Sequence, residues 1–218
     1  MLLAIDTASR FMSLALHDGY TLVAEQTHYT NNQHTEQLSV SIQRLLQGCA
    51  LSVKELSVLA ISQGPGSFSG LRVGFGVAKG LATARRLPMV PIPTFDILVA
   101  GIPRSKSSLI AVVQAGRGRV IAGHHRWSKE HWQAHGTPEI VDWQTLINTI
   151  TKETLIAGEI DEQGRHLLAE QPSINILTAP WNIRRAGILA QLGWEAYQSG
   201  ESINDPAAVN PIYLKEAG

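Results

Sequence analysis

Val58–Gly80 reads VLAISQGPGSFSGLRVGFGVAKG, and this stretch decides the fold. Val58-Leu59-Ala60-Ile61 is a short apolar run of the kind that forms a buried strand. Gln63-Gly64-Pro65-Gly66 then turns the chain, because glycine accepts positive φ and proline fixes φ near −65°. Ser67 or Ser69 can cap a helix predicted from about Gly70 to Arg86. That helix carries Gly70, Gly74, Gly76 and Gly80, each costing about 1 kcal/mol relative to alanine. Packing has to offset that cost. Each pair four residues apart makes a flat patch where another backbone, a helix or a ligand can approach.

The turn has two readings at this level. A strand, a glycine turn and a helix N-terminus together form a natural anion site. The same residues also make a tight turn before a closely packed helix. A Walker A loop is excluded, since no Gly-Lys-Ser/Thr follows. So is the dinucleotide fingerprint, because Ser69 stands where its third glycine belongs.

On the N-terminal side, Leu2–Ile5 reads as a central strand and Asp6-Thr7-Ala8-Ser9 as a polar turn. Phe11–Asp18 and Tyr20–Tyr29 read as two further strands around an Asp18-Gly19 hairpin signal. Asp6 can hydrogen-bond its own turn. A three-strand meander opened by a strand ending in Asp-Thr resembles the start of the actin/Hsp70/sugar-kinase fold, and that resemblance implies that Asp6 can help to place a metal ion near nucleotide phosphates. Asn31–Cys49 is predicted as a helix, with Thr35, Leu38, Ile42, Leu45, Leu46 and Cys49 at three- and four-residue spacing. His34 and Glu36 lie two apart, about 200° around a helix, so a capping or interface role suits them better than a shared ion. Ser52 is predicted to cap a short helix over Val53–Leu56. Beyond the glycine-rich helix, Arg85-Arg86 and Leu87-Pro88 mark its end. Met89–Ile92 reads as a strand and Thr94–Ala100 as a helix. The β-β-β-α-β-α order predicts an α/β fold with a mixed sheet.

Gly101–Ser108 is a polar connector, and a subdomain boundary is expected there: residues 1–104 first, then a smaller 105–218 whose tail can pack back on the first. In the second half, Leu109–Ala115 and Arg119–His125 read as strands around a Gly116–Gly118 turn. Trp127, Trp132 and Trp143 sit in a loop-rich region. Asp142–Ile150 reads as a helix, Thr154–Ala157 and Ile174–Leu177 as strands, and Trp181–Ser199 as a long amphipathic helix. Asp205–Gly218 is an extended tail. Two α/β halves of this kind are consistent with a drifted duplication. His124, His125, His131 and His135 cluster in sequence. His131 and His135 have the spacing of a metal pair on one helix face, but Gly136-Thr137-Pro138 favours a loop, and no metal site is predicted.

The chain has 218 residues, enough for one large domain or two small ones, with 44% apolar residues and a formal net charge of +0. That balance gives no support for gripping nucleic acid over the whole surface. Arg104 and Lys106, or Arg117 and Arg119, are the candidate local patches. Cys49 is the sole cysteine, which rules out an internal disulfide. No run of 18 apolar residues and no basic leader occur, so a cytoplasmic chain without membrane association is expected.

GPGSFSGLRVG (64–74), AIDTAS (4–9) and NPIYLK (210–215) together resemble the TsaB (YeaZ) family nearly end to end, most strongly over residues 1–100. The resemblance implies the actin/Hsp70/sugar-kinase (ASKHA) fold in two α/β subdomains with mixed sheets. It implies a non-catalytic partner of a TsaD-like subunit and a TsaE-like ATPase. Together these form N6-threonylcarbamoyladenosine (t6A) at position 37 of ANN-decoding tRNAs, with a homodimer when the chain is alone. It also implies that tRNA is met only through the complex, that no cofactor is intrinsic, and that ATP or ADP can sit at the complex interface. The expected interface residues are His34, Glu36, Leu38, Ser41, Ile42, Leu45, Arg72, Phe75 and Lys79. Asp6, Thr7, Gly64, Gly66 and Ser67 would form a vestigial phosphate site. Where TsaD-like subunits carry a metal-binding HxxxH pair, Thr94 and Leu98 stand here, which argues against metal-assisted transfer and against a peptidase activity. Gln114-Ala115-Gly116 replaces the family's Asp-Ala-Arg. Ala157-Gly158 is a weak candidate for adenine contact. The rival readings are a degenerate ATP-dependent kinase or hydrolase built on Asp6 and Gly64–Gly66, and a stand-alone homodimeric regulator.

Overall fold

Strand β4 (Val58–Gly64) is the spine of the first sheet, with its first five residues buried. It pairs in parallel with β1 (Leu2–Asp6) on one side, Leu2 opposite Val58 and Ile5 opposite Ile61, and with β5 (Met89–Pro93) on the other. Beyond β1, β2 (Phe11–His17) and β3 (Leu22–Tyr29) complete the sheet in antiparallel sense, giving the order β3-β2-β1-β4-β5. The computed structural model describes residues 1–31 and 33–214.

Both faces of this sheet are covered, which is why its central strands are continuously apolar. Leu3, Ile5, Leu59 and Ile61 point to one face and meet Leu38, Ile42 and Leu46 of α1 (His34–Gly48) and Leu71, Phe75 and Ala78 of α2 (Phe68–Arg85). Leu2, Ala4, Val58 and Ala60 point to the other face. There they meet residues far along the chain, Ala186, Leu189 and Ala190. After α2 and β5 comes α3 (Thr94–Ala100).

The second sheet repeats the plan. β6 (Ser108–Gly116), β7 (Arg119–Ser128), β8 (His131–Ala134), β9 (Glu139–Asp142), β10 (Thr154–Gly158) and β11 (Ile174–Ile176) give the order β11-β10-β6-β7-β8, with β9 also paired to β7. β6, β10 and β11 are mutually parallel, and β7 and β8 are antiparallel, as in the first sheet. Its core joins Ile110, Val112, Val120, Ile156 and Leu168 to Trp143 and Leu146, carried by α4 (Trp143–Thr149) and α5 (Glu162–Ala169). The chain thus has the ASKHA architecture, two mixed-sheet units of one topology, and the expected duplication is visible in strand order.

The division of the chain differs from the expected cut near residue 104. One unit comprises Met1–Ile97 and Arg185–Tyr213, and the other is built on Leu98–Arg184. The cause is α6 (Ala186–Gln198), which returns to lie on β1, β2 and β4. Gly193 lets it lie directly on Ala60, and Glu25 of β3 accepts the amide of Gly187 at 2.8 Å. α6 therefore begins at Ala186 rather than Trp181, and Ala179–Asn182 forms a 3-10 turn instead. No helix forms over Val53–Leu56: Glu55 accepts from both the amide and the hydroxyl of Ser52 and closes a turn. The region read as loop-rich contains β8 and β9, and α5 was not expected. No described helix is long and apolar enough to cross a membrane.

Candidate functional site

Two features of the first unit compete for the functional site: the β4–α2 turn and the outer face of α1 and α2. At the turn, Asp6 is buried, and its Oδ1 accepts the Ala8 amide at 2.9 Å and the Ser62 hydroxyl at 3.0 Å. The carboxylate therefore shapes its own turn. Thr7 donates its hydroxyl to the Gly70 carbonyl at 2.8 Å, and the Ser67 amide donates to the Ala8 carbonyl at 2.8 Å. A Cβ on Gly70 would land on the Thr7 carbonyl oxygen, and one on Gly66 on the Ala8 carbonyl oxygen. Ser67 caps α2 by accepting from the Gly70 amide at 3.2 Å.

Gly64, at φ +103°, faces the carbonyl of Ile212. The tail is stapled here: Ile212 donates its amide to the Gln63 carbonyl at 2.8 Å, and Gln63 Nε2 donates to the Asn210 carbonyl at 3.0 Å. Tyr213 stacks at 5.1 Å on Phe68. The close approach that the glycines permit is thus made by the chain's own residues 7–8 and 212. The sequence signal for the staple was NPIYLK, whose Lys215 lies outside the described residues.

The outer face of the helices divides the nine expected interface residues. His34, Leu38, Ser41, Ile42 and Phe75 are buried, Leu38 completely and Phe75 at 4% exposure. His34 is a core histidine, with its ring nitrogen 3.3 Å from the Phe11 carbonyl. Leu38 and Phe75 serve their own sheet rather than a partner, because the stripe at three- and four-residue spacing turned inward. Phe75→Asp would therefore break the core and report nothing about pairing. Glu36 and Arg72 are exposed, and Leu45 and Lys79 are half-buried. Arg72 lies over the Phe68 ring at 5.3 Å, and Lys79 Nζ donates to the Ala207 carbonyl at 3.5 Å.

What the face offers outward is different. Gly76 and Gly80, unlike Gly70 and Gly74, would place a Cβ in open space. Beside them runs an apolar groove of about 410 Å³ between α1 and α2, lined by Ile42, Leu46, Leu51, Val77 and Leu81.

The other candidates separate. Thr94 and Leu98 are buried on α3, and the Thr94 hydroxyl is a buried side-chain oxygen without a hydrogen-bond partner among the described residues. His131 lies on a strand, not a helix, with Nδ1 2.8 Å from the Lys129 carbonyl. His125 is buried and donates Nδ1–H to the Gly123 carbonyl at 3.0 Å. No cluster of three metal-ligating side chains occurs among the described residues. Arg104, Lys106 and Arg117 are exposed and Arg119 is half-buried. Gln114 is tied to Glu159, its Nε2 donating to the Glu159 carbonyl at 2.8 Å. Glu159 in turn pairs with buried Arg184 at 2.7 Å. This pair spans 25 residues, and nothing local in the sequence announced it. Gly158 approaches the Val112 carbonyl, a structural use of the Ala157-Gly158 step.

A family model described as TsaD: tRNA N6-adenosine threonylcarbamoyltransferase matches residues 22–178. The chain belongs to the TsaB (YeaZ) family. It is 32% identical over 148 residues to the Escherichia coli tRNA threonylcarbamoyladenosine biosynthesis protein TsaB, covering 64% of each chain, just under two thirds of that relative. It is 26% identical over 221 residues to the Bacillus subtilis TsaB, covering 99% of this chain and 94% of that one. Among solved structures, YeaZ from Pseudomonas aeruginosa matches with TM-score 0.76 and 22% identity over 97% of this chain and 99% of that one. Component A of (R)-2-hydroxyglutaryl-CoA dehydratase from Acidaminococcus fermentans matches with TM-score 0.56 and 12% identity, over 92% and 98%, a likeness of fold. The Pseudomonas aeruginosa YeaZ structure thus shares this fold over nearly its whole length.

Proposed function

We propose that this chain is a non-catalytic subunit of the t6A machinery, pairing through the α1–α2 face with a TsaD-like transferase that a TsaE-like ATPase joins. The observation that carries the proposal is the pair of outward glycines, Gly76 and Gly80, with open space above them beside an apolar groove. Two glycines in a helix interior cost about 2 kcal/mol together relative to alanine, and nothing in the chain's own fold recovers it. Close approach by a second helix would recover it, since the missing side chains let backbones come together. The names of the relatives, which place them in threonylcarbamoyladenosine biosynthesis, support the same reading. The scaffold reading is further supported at the turn, where Asp6 and the glycines that would serve a phosphate are engaged by the chain itself. In this reading the subunit holds its partner in a productive arrangement, ATP or ADP belongs to the assembled complex, and tRNA is met through it.

Sedimentation velocity of the chain alone and mixed with the TsaD-like protein of the same organism tests the proposal. A new heterodimer is expected. A chain that ignores that protein, or an isolated chain that binds ATP tightly, would overturn it in favour of the kinase-like or stand-alone readings.

A further inference from the structure

We infer that the end of the first sheet from which α2 starts is a stacking platform for unpaired RNA bases, with Phe68, Arg72 and Tyr213 at its centre. This rests on the tRNA reading proposed above and gives the chain its own contact to the RNA within the complex.

Phe68 is 59% exposed and Tyr213 42% exposed. Neither belongs to the core that α1 and α2 form with their sheet. A contiguous exposed apolar cluster of this kind marks a contact surface. Both rings are nevertheless held in place. Tyr213 lies 5.1 Å from Phe68 with the planes tilted at 45°, and the Arg72 guanidinium lies over the Phe68 ring. The backbone beside Tyr213 is fixed without help from its side chain. The Ile212 amide donates to Gln63, Gln63 Nε2 donates to the Asn210 carbonyl, and Gly64 admits the Ile212 carbonyl. A ring held this way has little freedom left to lose when it binds.

The charge at this end suits a polyanion. From Phe68 to Arg86 the chain carries Arg72, Lys79, Arg85 and Arg86 and no acidic residue. Among the described residues Arg72 forms no ion pair. Asp6, beneath the turn, is buried and engaged by the Ala8 amide and the Ser62 hydroxyl. Arg10 is exposed at the end of the 6–9 turn on which α2 is seated. Beside it Tyr29, 52% exposed, meets Phe11 edge-on at 5.5 Å. Their strands, β2 and β3, lie two and three places from β4 in the sheet, about 10 and 14 Å away. Cations and aromatic rings therefore alternate across this end, and they outnumber Glu36 in the first turn of α1. Such a surface takes bases on its ring faces and phosphates on its arginines. That interleaving favours RNA over a second protein surface. Gly76 and Gly80, the proposed helix contact, lie about 12–18 Å farther along α2, so pairing and RNA binding can occur together. In this reading Arg72 serves RNA rather than the partner protein. The contact is weak alone and adds to those of the partner once the complex has assembled.

The test uses the full chain, the TsaD-like and TsaE-like proteins of the same organism, and an unmodified transcript of an ANN-decoding tRNA. Phe68→Ala/Tyr213→Ala is expected to fold and pair as the parent does and to cost the complex at least tenfold in tRNA affinity. Phe68→Tyr/Tyr213→Phe keeps both ring faces and is expected to bind tRNA like the parent. Arg72→Gln is expected to flatten the slope of log affinity against log salt by about 0.7, the share of one single-strand phosphate contact. Ultraviolet crosslinks from the transcript, mapped by mass spectrometry, are expected at Phe68 or Tyr213. An alanine variant that binds tRNA like the parent overturns the platform, and so does a crosslink map that omits both rings. An alanine variant that folds but no longer pairs with the TsaD-like subunit also overturns it and gives the rings to the protein interface. If the unaltered chain forms no heterodimer, the pairing reading fails by itself. Crosslinking of the isolated chain at high concentration then decides: crosslinked rings support the platform, and rings without crosslinks overturn it.

Discussion

Gly70 and Gly76 lie in one helix and meet opposite surroundings. A Cβ on Gly70 would strike the Thr7 carbonyl, whereas one on Gly76 meets nothing within 4 Å. Alanine at the two sites should therefore act with opposite sign on the isolated chain. Gly76→Ala and Gly80→Ala are each expected to stabilise it by about 1 kcal/mol, the ordinary helix-propensity gain. Gly70→Ala is expected to destabilise it by about 1–3 kcal/mol, as an overpacked site does. Urea midpoints read both, and a destabilising Gly76→Ala would mean that the outer face is already packed. At Asp161 a different economy operates. Its Oδ1 accepts the Gly164 amide at 2.8 Å, capping α5, and the Trp143 indole N–H at 2.9 Å. Asp161→Ala strands both donors and is expected to cost about 2 kcal/mol, with a change in Trp143 fluorescence. An unchanged urea midpoint would show that water replaces the carboxylate.

Among the elements, β7 carries a buried histidine, His125, whose charged form the fold disfavours. Burial lowers the pKa of His125, and the charge of nearby His124 adds to this, against the hydrogen bond to the Gly123 carbonyl, which raises it. The unfolded chain, with an imidazole near the ordinary value of about 6.5, takes up a proton before the fold does. The stability conferred by neutral His125 is therefore full above that range and lost as pH falls from there toward the lowered folded value. His125→Asn, which keeps a donor for Gly123, is expected to flatten the fall in urea midpoint between pH 7 and about pH 5; an unchanged slope would remove His125 as its source. The elements that sequence reveals well are those whose pattern is set locally. β1, β4 and β5 are apolar throughout because both sheet faces are covered, and α2 announces itself by its turn and Ser67. Elsewhere the determining contact is remote. EQGRHLLA looks a poor helix because Gly164 interrupts it, yet that glycine exists to admit the Trp143 ring, and its cap also serves Trp143. α6 starts at Ala186 because Glu25, more than 150 residues earlier, receives its first turn and pairs with Arg185. The interface suffered from a related ambiguity. Spacing on α1 identified one apolar stripe without telling which way it faced, and Leu38 and Ile42 proved to serve the chain's own core.

For the molecule as a whole, the fold and the proposed work separate along α2. Its inner side, with Gly70, Gly74, Leu71 and Phe75, is committed to β1, β4 and the 6–8 turn. Its outer side, with Gly76 and Gly80, does nothing for the fold of the single chain. A bulky group placed outward should thus leave the fold intact while denying the approach of a second helix, which separates loss of pairing from loss of folding. Gly80→Trp is expected to keep the urea midpoint of the parent or raise it slightly, since tryptophan has a higher helix propensity than glycine in an exposed helix interior. In sedimentation with the TsaD-like subunit it is expected to give no heterodimer. In cells where it replaces the parent chain, mass spectrometry of hydrolysed tRNA is expected to show t6A falling to the level seen without this subunit. The order of these readouts matters. A variant that folds, fails to pair and fails to support modification ties the α1–α2 face to function. One that folds and fails to pair, yet sustains t6A, shows that the subunit acts by another surface. One that pairs normally shows that Gly80 lies outside the contact, and the open glycines would then need a different account.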